Sequence, residues 1–311
     1  MLLRAVNALG WNPETDVNII TQAPEVAGSA LQADKIDAHA DFVPFAELFP
    51  WRGLARKIYD GSQADAPTFH GALVDAAYAQ QYPEIVVAYL RAGIEADRLI
   101  AAAPEKYSEL IARVTGIDAE VDYLFHGPLG LQTRDFTWKP EYRQAVATSI
   151  ETLKLLKKTD SGLDVDSFVT DKFIRAAFAQ AGLDYDAQLK NYSQLPLNAK
   201  DAATGEPITD TKRVAEIWVK GEPLVRHYGS PESAFEALAK LEKEGQSTRV
   251  FYAQDRQSGI KLLGDKAWYV RSVDGVLNAF LLKEAAEGWA KTQGGAVLDF
   301  ASARNAILAS R

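Results

Sequence analysis

Residues 16–43 read DVNIITQAPEVAGSALQADKIDAHADFV, and the periodicity of this stretch decides the predicted fold. The apolar spacing of 16–22 predicts a strand, and 24–33 predicts a helix because proline is tolerated in a first helical turn. Residues 35–43 predict a second strand. Two more strands are expected at 54–59 and 69–74. Strands that alternate with helices favour parallel pairing, so this region predicts an α/β fold with a layered sheet.

The rest of the chain predicts a helical region followed by a second, smaller domain. Prolines followed by glutamates open several helices between residues 82 and 181. A polar, proline- and glycine-containing stretch at 196–210 indicates a linker, which gives domains at 1–195 and 211–311. Within the second domain, Ser230 before Pro231 predicts a helix start, and the order of the elements predicts two β-β-α-β units in a small α+β fold.

Composition excludes several classes of partner. The net charge is −8 and no basic run occurs, so nucleic acid and a polybasic membrane contact are not expected. No stretch approaches the run of about 20 apolar residues that spans a bilayer. The chain has no cysteine and its one methionine is Met1. Either compositional drift or selection for low sulfur content explains this, and an oxidising compartment is weakly favoured.

The beginning of the sequence resembles the interior of a helix. Met1 is followed directly by apolar residues at helical spacing, without a capping residue or a signal-peptide pattern. We therefore expect an N-terminal truncation, with a natural gene that starts upstream.

The first 195 residues resemble the periplasmic substrate-binding proteins of ABC importers for sulfonates, nitrate and taurine. The order of segments carries the resemblance. The matching segments are LQADKIDA at 31–38, HADFVPF at 39–45, YPEIVVAYLRA at 82–92 and WKPEYRQAV at 138–146.

This resemblance implies a partial type II periplasmic-binding-protein fold, made of the second lobe and the helical part of the first. It implies capture of a small organic anion, a membrane permease as partner, no cofactor, and a periplasmic location, with the signal peptide lost with the missing N-terminus. A small anion held between two closing lobes would be passed to the permease.

The tail resembles the nitrous-oxide-reductase accessory family of copper chaperones. The matching segments are AEIWVKGEP at 215–223, AWYV at 267–270, AFLLKEAAEGWA at 279–290 and GGAVLDF at 294–300. Cu(I) prefers thiolate and thioether ligands, but the tail contains neither cysteine nor methionine, and its one histidine is His227. No metal site is therefore predicted.

Five candidate ligand-binding residues lie at the ends of the first two predicted strands. His39, Asp41 and Phe42 end one strand, and Thr21 and Gln22 end its neighbour, ahead of a helix N-terminus. Ligands bind at the carboxyl ends of strands in open α/β sheets, and a helix N-terminus favours an anion. The alternatives are a structural or surface histidine, a core phenylalanine and simple turn chemistry.

Two more candidates lie further along the chain. In the resembling family the chain crosses back between the lobes near His70, which would reach the cleft or serve the hinge. Arg134 could hold a sulfonate or carboxylate through its two-pronged guanidinium, although exposed arginines are usually solvated.

Catalysis finds no support among the motifs. The sequence has no G-x-S-x-G elbow, H-E-x-x-H, phosphate-binding loop or G-x-G-x-x-G. A metal-handling accessory protein remains the first alternative to solute binding. A thiamine-pyrimidine-synthesising enzyme is the second, and the absence of cysteine weakens it.

Overall fold

A computed structural model describes residues 2–61, 71–155, 158–192 and 196–309. The chain forms two compact units, each assembled from separate segments. The sheet unit contains Met1–Asp60, Ala103–Gln132 and Leu195–Arg311. The helical unit contains Gly61–Ala102 and Thr133–Gln194. These units are defined by contacts in space, whereas the domains predicted at 1–195 and 211–311 divide the chain along its sequence. That division stays a prediction.

The described helices and strands follow one another in this order: α1 (Leu2–Ala8), α2 (Pro24–Gln32), α3 (Phe45–Trp51), α4 (Ala76–Gln81), α5 (Pro83–Ala102), α6 (Pro104–Thr115), α7 (Ala119–His126), α8 (Pro140–Leu155), α9 (Val165–Phe168), α10 (Lys172–Gln180), α11 (Tyr185–Asn191), β1 (Ala215–Val219), β2 (Arg226–Tyr228), α12 (Pro231–Lys243), β3 (Thr248–Gln254), β4 (Lys261–Leu263), β5 (Trp268–Arg271), β6 (Leu277–Phe280), α13 (Lys283–Gln293), β7 (Ala296–Leu298) and α14 (Phe300–Leu308). The fold is thus a mixture of α and β structure with small antiparallel sheets.

The sheet unit contains the two expected β-β-α-β units. In the first unit, β1 and β2 precede α12 and β3 follows it. In the second unit, β5 and β6 precede α13 and β7 follows it. The two sheets have the strand orders β2-β1-β3-β4 and β6-β5-β7, so the first strand of each unit is central in both. A bridge between Asp255 and Ala279 links the two sheets.

Helix α12 begins where the sequence predicts. The Ser230 hydroxyl accepts a hydrogen bond from the Ser233 amide at 3.2 Å, and Pro231 takes the first helical position. Its buried side chains, including Phe235 and Leu238, pack against Ile217 of β1 in the main core. Alternation along β1 turns Ile217 to this core and its neighbours Glu216 and Trp218 to the opposite face.

That opposite face of the four-stranded sheet is covered by α6 and α7. Tyr123 of α7 packs on Trp218 and Tyr252, with ring centroids 5.5 Å away in both cases. The Arg249 guanidinium lies 4.1 Å from the Trp218 ring centroid and pairs with Glu120 at 2.7 Å. A segment distant in sequence is therefore fastened to the sheet by both apolar and ionic contacts.

The helical unit packs α5 against α10. Val87 and Ile94 of α5 meet Ala177 and Phe178 of α10 in one apolar cluster. Tyr185 at the start of α11 completes the cluster and meets Phe178 edge-on at 5.4 Å. Two of the helices in the predicted helical region therefore form a helix–helix core through their apolar faces. None of the described helices combines the length and apolar character needed to cross a membrane.

The strands predicted in the first 75 residues are wrong where the structure describes them. Residues 16–22, 35–43 and 54–59 are turns, bends or irregular chain, and the same holds for 71–74. Residues 69 and 70 of the fourth predicted strand lie outside the described part. A strand needs a hydrogen-bonded neighbour, and in the described chain every strand begins at or after Ala215. No parallel sheet with a cleft at its carboxyl ends is therefore present among the described residues.

Two local differences accompany this correction. The predicted helix after Pro24 is observed, and the residues beyond Pro44, for which no helix or strand was predicted, form helix α3. Residues 196–210, the predicted linker, belong to the sheet unit. Asp201 accepts hydrogen bonds from the Gly229 amide at 2.7 Å and the Ser233 hydroxyl at 3.3 Å.

Candidate functional site

The structure brings three of the predicted ligand-binding residues together. His39 Nε2 lies 3.2 Å from Asp41 Oδ2, and both side chains are largely buried. The His39 ring packs on Phe49 of α3 with centroids 5.3 Å apart, and the exposed Phe42 meets Phe45 edge-on. The side chains of His39 and Asp41 therefore pair with each other, which agrees with the alternative of a structural histidine.

The other predicted residues lie elsewhere. Thr21 and Gln22 are exposed in the irregular chain before α2 and make no hydrogen bond with His39 or Asp41 in the described structure. Arg134 belongs to the helical unit, where its buried guanidinium pairs with Asp97. His70 falls outside the described residues, so its role as a ligand-binding residue stays a prediction.

A cavity of about 290 Å³ opens in the sheet unit. Its wall combines α3, the irregular chain at 55–58, strand β4 with the turn behind it, and the first residues of α13 and α14. Most of the lining side chains are apolar, and Leu124 and Leu131 close one side. A small pocket with an apolar lining and a few polar groups has the character of a small-molecule site.

A buried ion-pair network forms one side of the cavity. Lys57 Nζ lies 2.6 Å from Glu47 Oε1 and 2.6 Å from Asp60 Oδ2. Burial acts to lower the pKa of Lys57, but the two carboxylates outweigh it, and the pKa is raised. Lys57 therefore stays charged at neutral pH and anchors the chain at 55–58 to α3.

One cation of the lining, Arg56, has no ion-pair partner among the described residues. Lys266 pairs with Asp265 at 2.9 Å and Lys283 with Glu287 at 3.4 Å. The exposed Arg56 makes no ion pair or hydrogen bond with the residues that the structure describes. Its guanidinium is available to a carboxylate or sulfonate, which it can grip with two parallel hydrogen bonds.

An aromatic side chain faces the same cavity. Trp268 is the first residue of β5, lines the cavity, and is partly exposed, although its neighbours Ala267 and Tyr269 are buried. Lys283 Nζ stands 5.4 Å from the Trp268 ring centroid. The ammonium group of Lys283 therefore stands over the Trp268 ring, which also packs against the cluster of Val270 and Phe280.

A second polar cluster lies beneath α6 and α7, on the covered face of the sheet. Lys261 Nζ bonds to Glu216 Oε2 at 2.8 Å and stands 4.4 Å from the Tyr123 ring centroid. Burial lowers the pKa of Lys261 despite the carboxylate, and burial with Glu216 nearby raises the pKa of Tyr123 well above its usual range. Glu216 and Lys261 are completely shielded from solvent, so this pair serves the packing of the cover.

Sequence reasoning missed the residues of the cavity. Arg56 and Lys57 belong to no motif, and Trp268 and Lys283 lie in segments that were quoted only for the resemblance of the tail. The one available signal is Glu47, a single acid within the apolar helix FAELFPW, because a buried acid needs a partner. Among the described residues, no group of three His, Cys, Asp or Glu side chains could hold a metal ion.

Comparison with known proteins gives one structural likeness. No protein-family model matches the chain, and no curated protein matches it in sequence. The crystal structure of the copper chaperone NosL from Shewanella denitrificans is similar at 20% sequence identity, over 36% of this chain and 94% of that chain, with a TM-score of 0.31. A likeness at this TM-score carries no argument about function, and these comparisons do not support the resemblance of residues 1–195 to ABC-importer proteins.

Proposed function

We propose that the protein binds a small organic anion in the cavity of the sheet unit. The observation that carries the proposal is a cavity of about 290 Å³ with a mainly apolar lining and an arginine, Arg56, that makes no ion pair with the residues that the structure describes. This volume lies just below the range for small-molecule sites, of about 300–1,000 Å³, which suits a small solute.

Arg56 is the charged group of the cavity that suits an anion. Lys57, Lys266 and Lys283 each have a carboxylate neighbour, so their charges are locally balanced. Arg56 makes no such pair with the described residues, although Glu284 and Asp299 also line the cavity and bring negative charge to it. A ligand with one carboxylate or sulfonate would neutralise Arg56, while its organic part would cover apolar side chains that water now meets.

The resemblance of residues 1–195 makes the proposal more specific. Capture of a sulfonate- or taurine-like anion would serve an ABC importer, with a permease as partner and the periplasm as location. The described part of residues 1–195 forms no parallel sheet, so this finer proposal rests on the resemblance in sequence and not on a type II fold. The solute would lie in the described cavity, because the residues first expected to bind it are paired, exposed or outside the described chain.

A binding screen of the full chain tests the proposal. Thermal unfolding and isothermal titration calorimetry would be measured with taurine, alkanesulfonates, nitrate, aromatic carboxylates and copper. We expect at least one organic anion to raise the melting temperature and to bind with one site per chain. Stabilisation by copper alone would overturn the proposal.

Two arginine variants locate the site. Arg56→Ala should weaken anion binding about tenfold or more, because a hydrogen-bonded charge contact contributes about 1.5–3 kcal/mol. Arg113→Ala is the matched control, since Arg113 is also exposed but lies outside the lining. Equal affinity of both variants would place the anion elsewhere. Permease and ATPase genes beside this gene would support the transport role, and their absence would count against it.

A further inference from the structure

The aromatic wall of the cavity narrows the class of solute. We infer that the bound anion carries an aromatic ring that stacks on Trp268 and an acidic group that reaches Lys283 or Arg56. The inference rests on the proposed function and adds a specificity-determining residue to it.

Strand pairing holds Trp268 in a fixed position. Trp268 is paired with Phe280 of β6, and the following residue, Tyr269, is paired with both Ala279 and Leu298. The Tyr269 hydroxyl donates a hydrogen bond to the Gly264 carbonyl oxygen at 2.8 Å, which fixes the turn before β5. An indole on a central strand loses little freedom when a ligand packs on it, so contact with it favours binding more than contact with a mobile loop would.

The surroundings of Trp268 suit a flat ring with an acidic substituent. Lys283 Nζ lies 5.4 Å from the indole centroid, and its partner Glu287 is an exposed residue at 3.4 Å. Exposed ion pairs contribute little, so Lys283 can turn towards a ligand acid at small cost. Lys283 now stands over the indole, so a ligand ring would stack there once Lys283 has turned aside, with its carboxylate or sulfonate beside the ammonium group.

Other anions use the cavity less completely. Nitrate would meet the cations but would leave the apolar lining uncovered. An alkyl chain would cover the lining, but it would lack the favourable geometry of two stacked rings, which adds to the effect of burial. Trp268 therefore favours an aromatic anion over an aliphatic one of equal size.

Benzoate and cyclohexanecarboxylate separate stacking from burial, because they share the acid and the ring size. Titration calorimetry of the full chain should show benzoate binding about threefold to tenfold more tightly, the range expected for an aromatic pair. Benzoate should also change the tryptophan fluorescence. In Trp268→Leu the two acids should bind with about equal affinity. Trp268→Phe keeps a ring, so most of the preference for benzoate should return in that variant.

Trp11→Leu is the matched control, because Trp11 is exposed and lies outside the lining. Its benzoate preference should equal that of the unmodified chain, and circular dichroism should show that all variants are folded. Equal affinity for the two acids in the unmodified chain would overturn the inference while leaving anion binding intact. The same preference in Trp268→Leu would also overturn it. Failure of every anion to bind would remove the proposed function itself.

Discussion

Lys261→Met tests whether the buried pair under α6 and α7 is essential to the sheet unit. The variant keeps the aliphatic stem but leaves the Glu216 carboxylate without its partner. At 2.8 Å and an effective dielectric constant of about 20, the lost attraction is about 6 kcal/mol. Removing one member of a buried pair typically destabilises by about 3–5 kcal/mol, because the remaining charge is uncompensated. We expect a loss in that range.

The assay is guanidinium unfolding followed by circular dichroism. Lys240→Met is the control, since Lys240 is highly exposed and its pair with Glu244, at 4.0 Å, should contribute less than about 1 kcal/mol. Because burial lowers the pKa of Lys261, the pair as a whole is a weak source of stability, and Glu216→Leu combined with Lys261→Met should recover most of the loss. A Lys261→Met loss no larger than the control, or a double variant as unstable as the single one, would refute the reasoning.

Two further predictions concern the segment at 196–210 and the start of α12. Burial acts to raise the pKa of Asp201, but the amides of Gly229, Ala203 and Thr204 outweigh it and the pKa is lowered, so its contribution is present above about pH 4 and is lost as pH falls through the folded-state value. Asp201→Asn should therefore lower the free energy of unfolding by about 1.5–3 kcal/mol at pH 7, with the difference shrinking towards pH 2; a difference independent of pH would contradict this. Ser230→Ala should cost about 1 kcal/mol in urea unfolding through loss of the helix cap, whereas Ser29→Ala, within α2, should cost little; equal effects would argue against the cap.

Local signals predicted the second half of the sheet unit well. The Ser230-Pro231 start of α12 and the two β-β-α-β units depend on neighbouring residues, and the structure has them. Turns and caps act over a few residues, so the sequence carries them directly. The Pro83-Glu84 start of α5 is likewise a local signal, and the structure has the helix there.

The predicted strands at 16–22 and 35–43 failed for the complementary reason. Alternation of apolar and polar residues shows that a segment is able to form a strand. Pairing also requires a partner strand, and that partner can lie anywhere in the chain. Here Ile19 and Ile20 are exposed and belong to no strand. The same limitation moved the candidate site, since His39 and Asp41 were placed at the edge of a sheet that the described chain does not form.

The sequence by itself determined where helices start, which strands can form hairpins, and that the tail lacks the sulfur ligands for Cu(I). Tertiary structure alone decided that α3 and the chain at 55–58 meet β4 and α13 around one cavity. It alone decided that Lys261, an ordinary charged residue in the sequence, is enclosed with Glu216 beneath α7. Both outcomes depend on contacts between segments far apart in the sequence, and even Glu216 and Lys261 are 45 positions apart. Local patterns of a few residues do not encode such contacts.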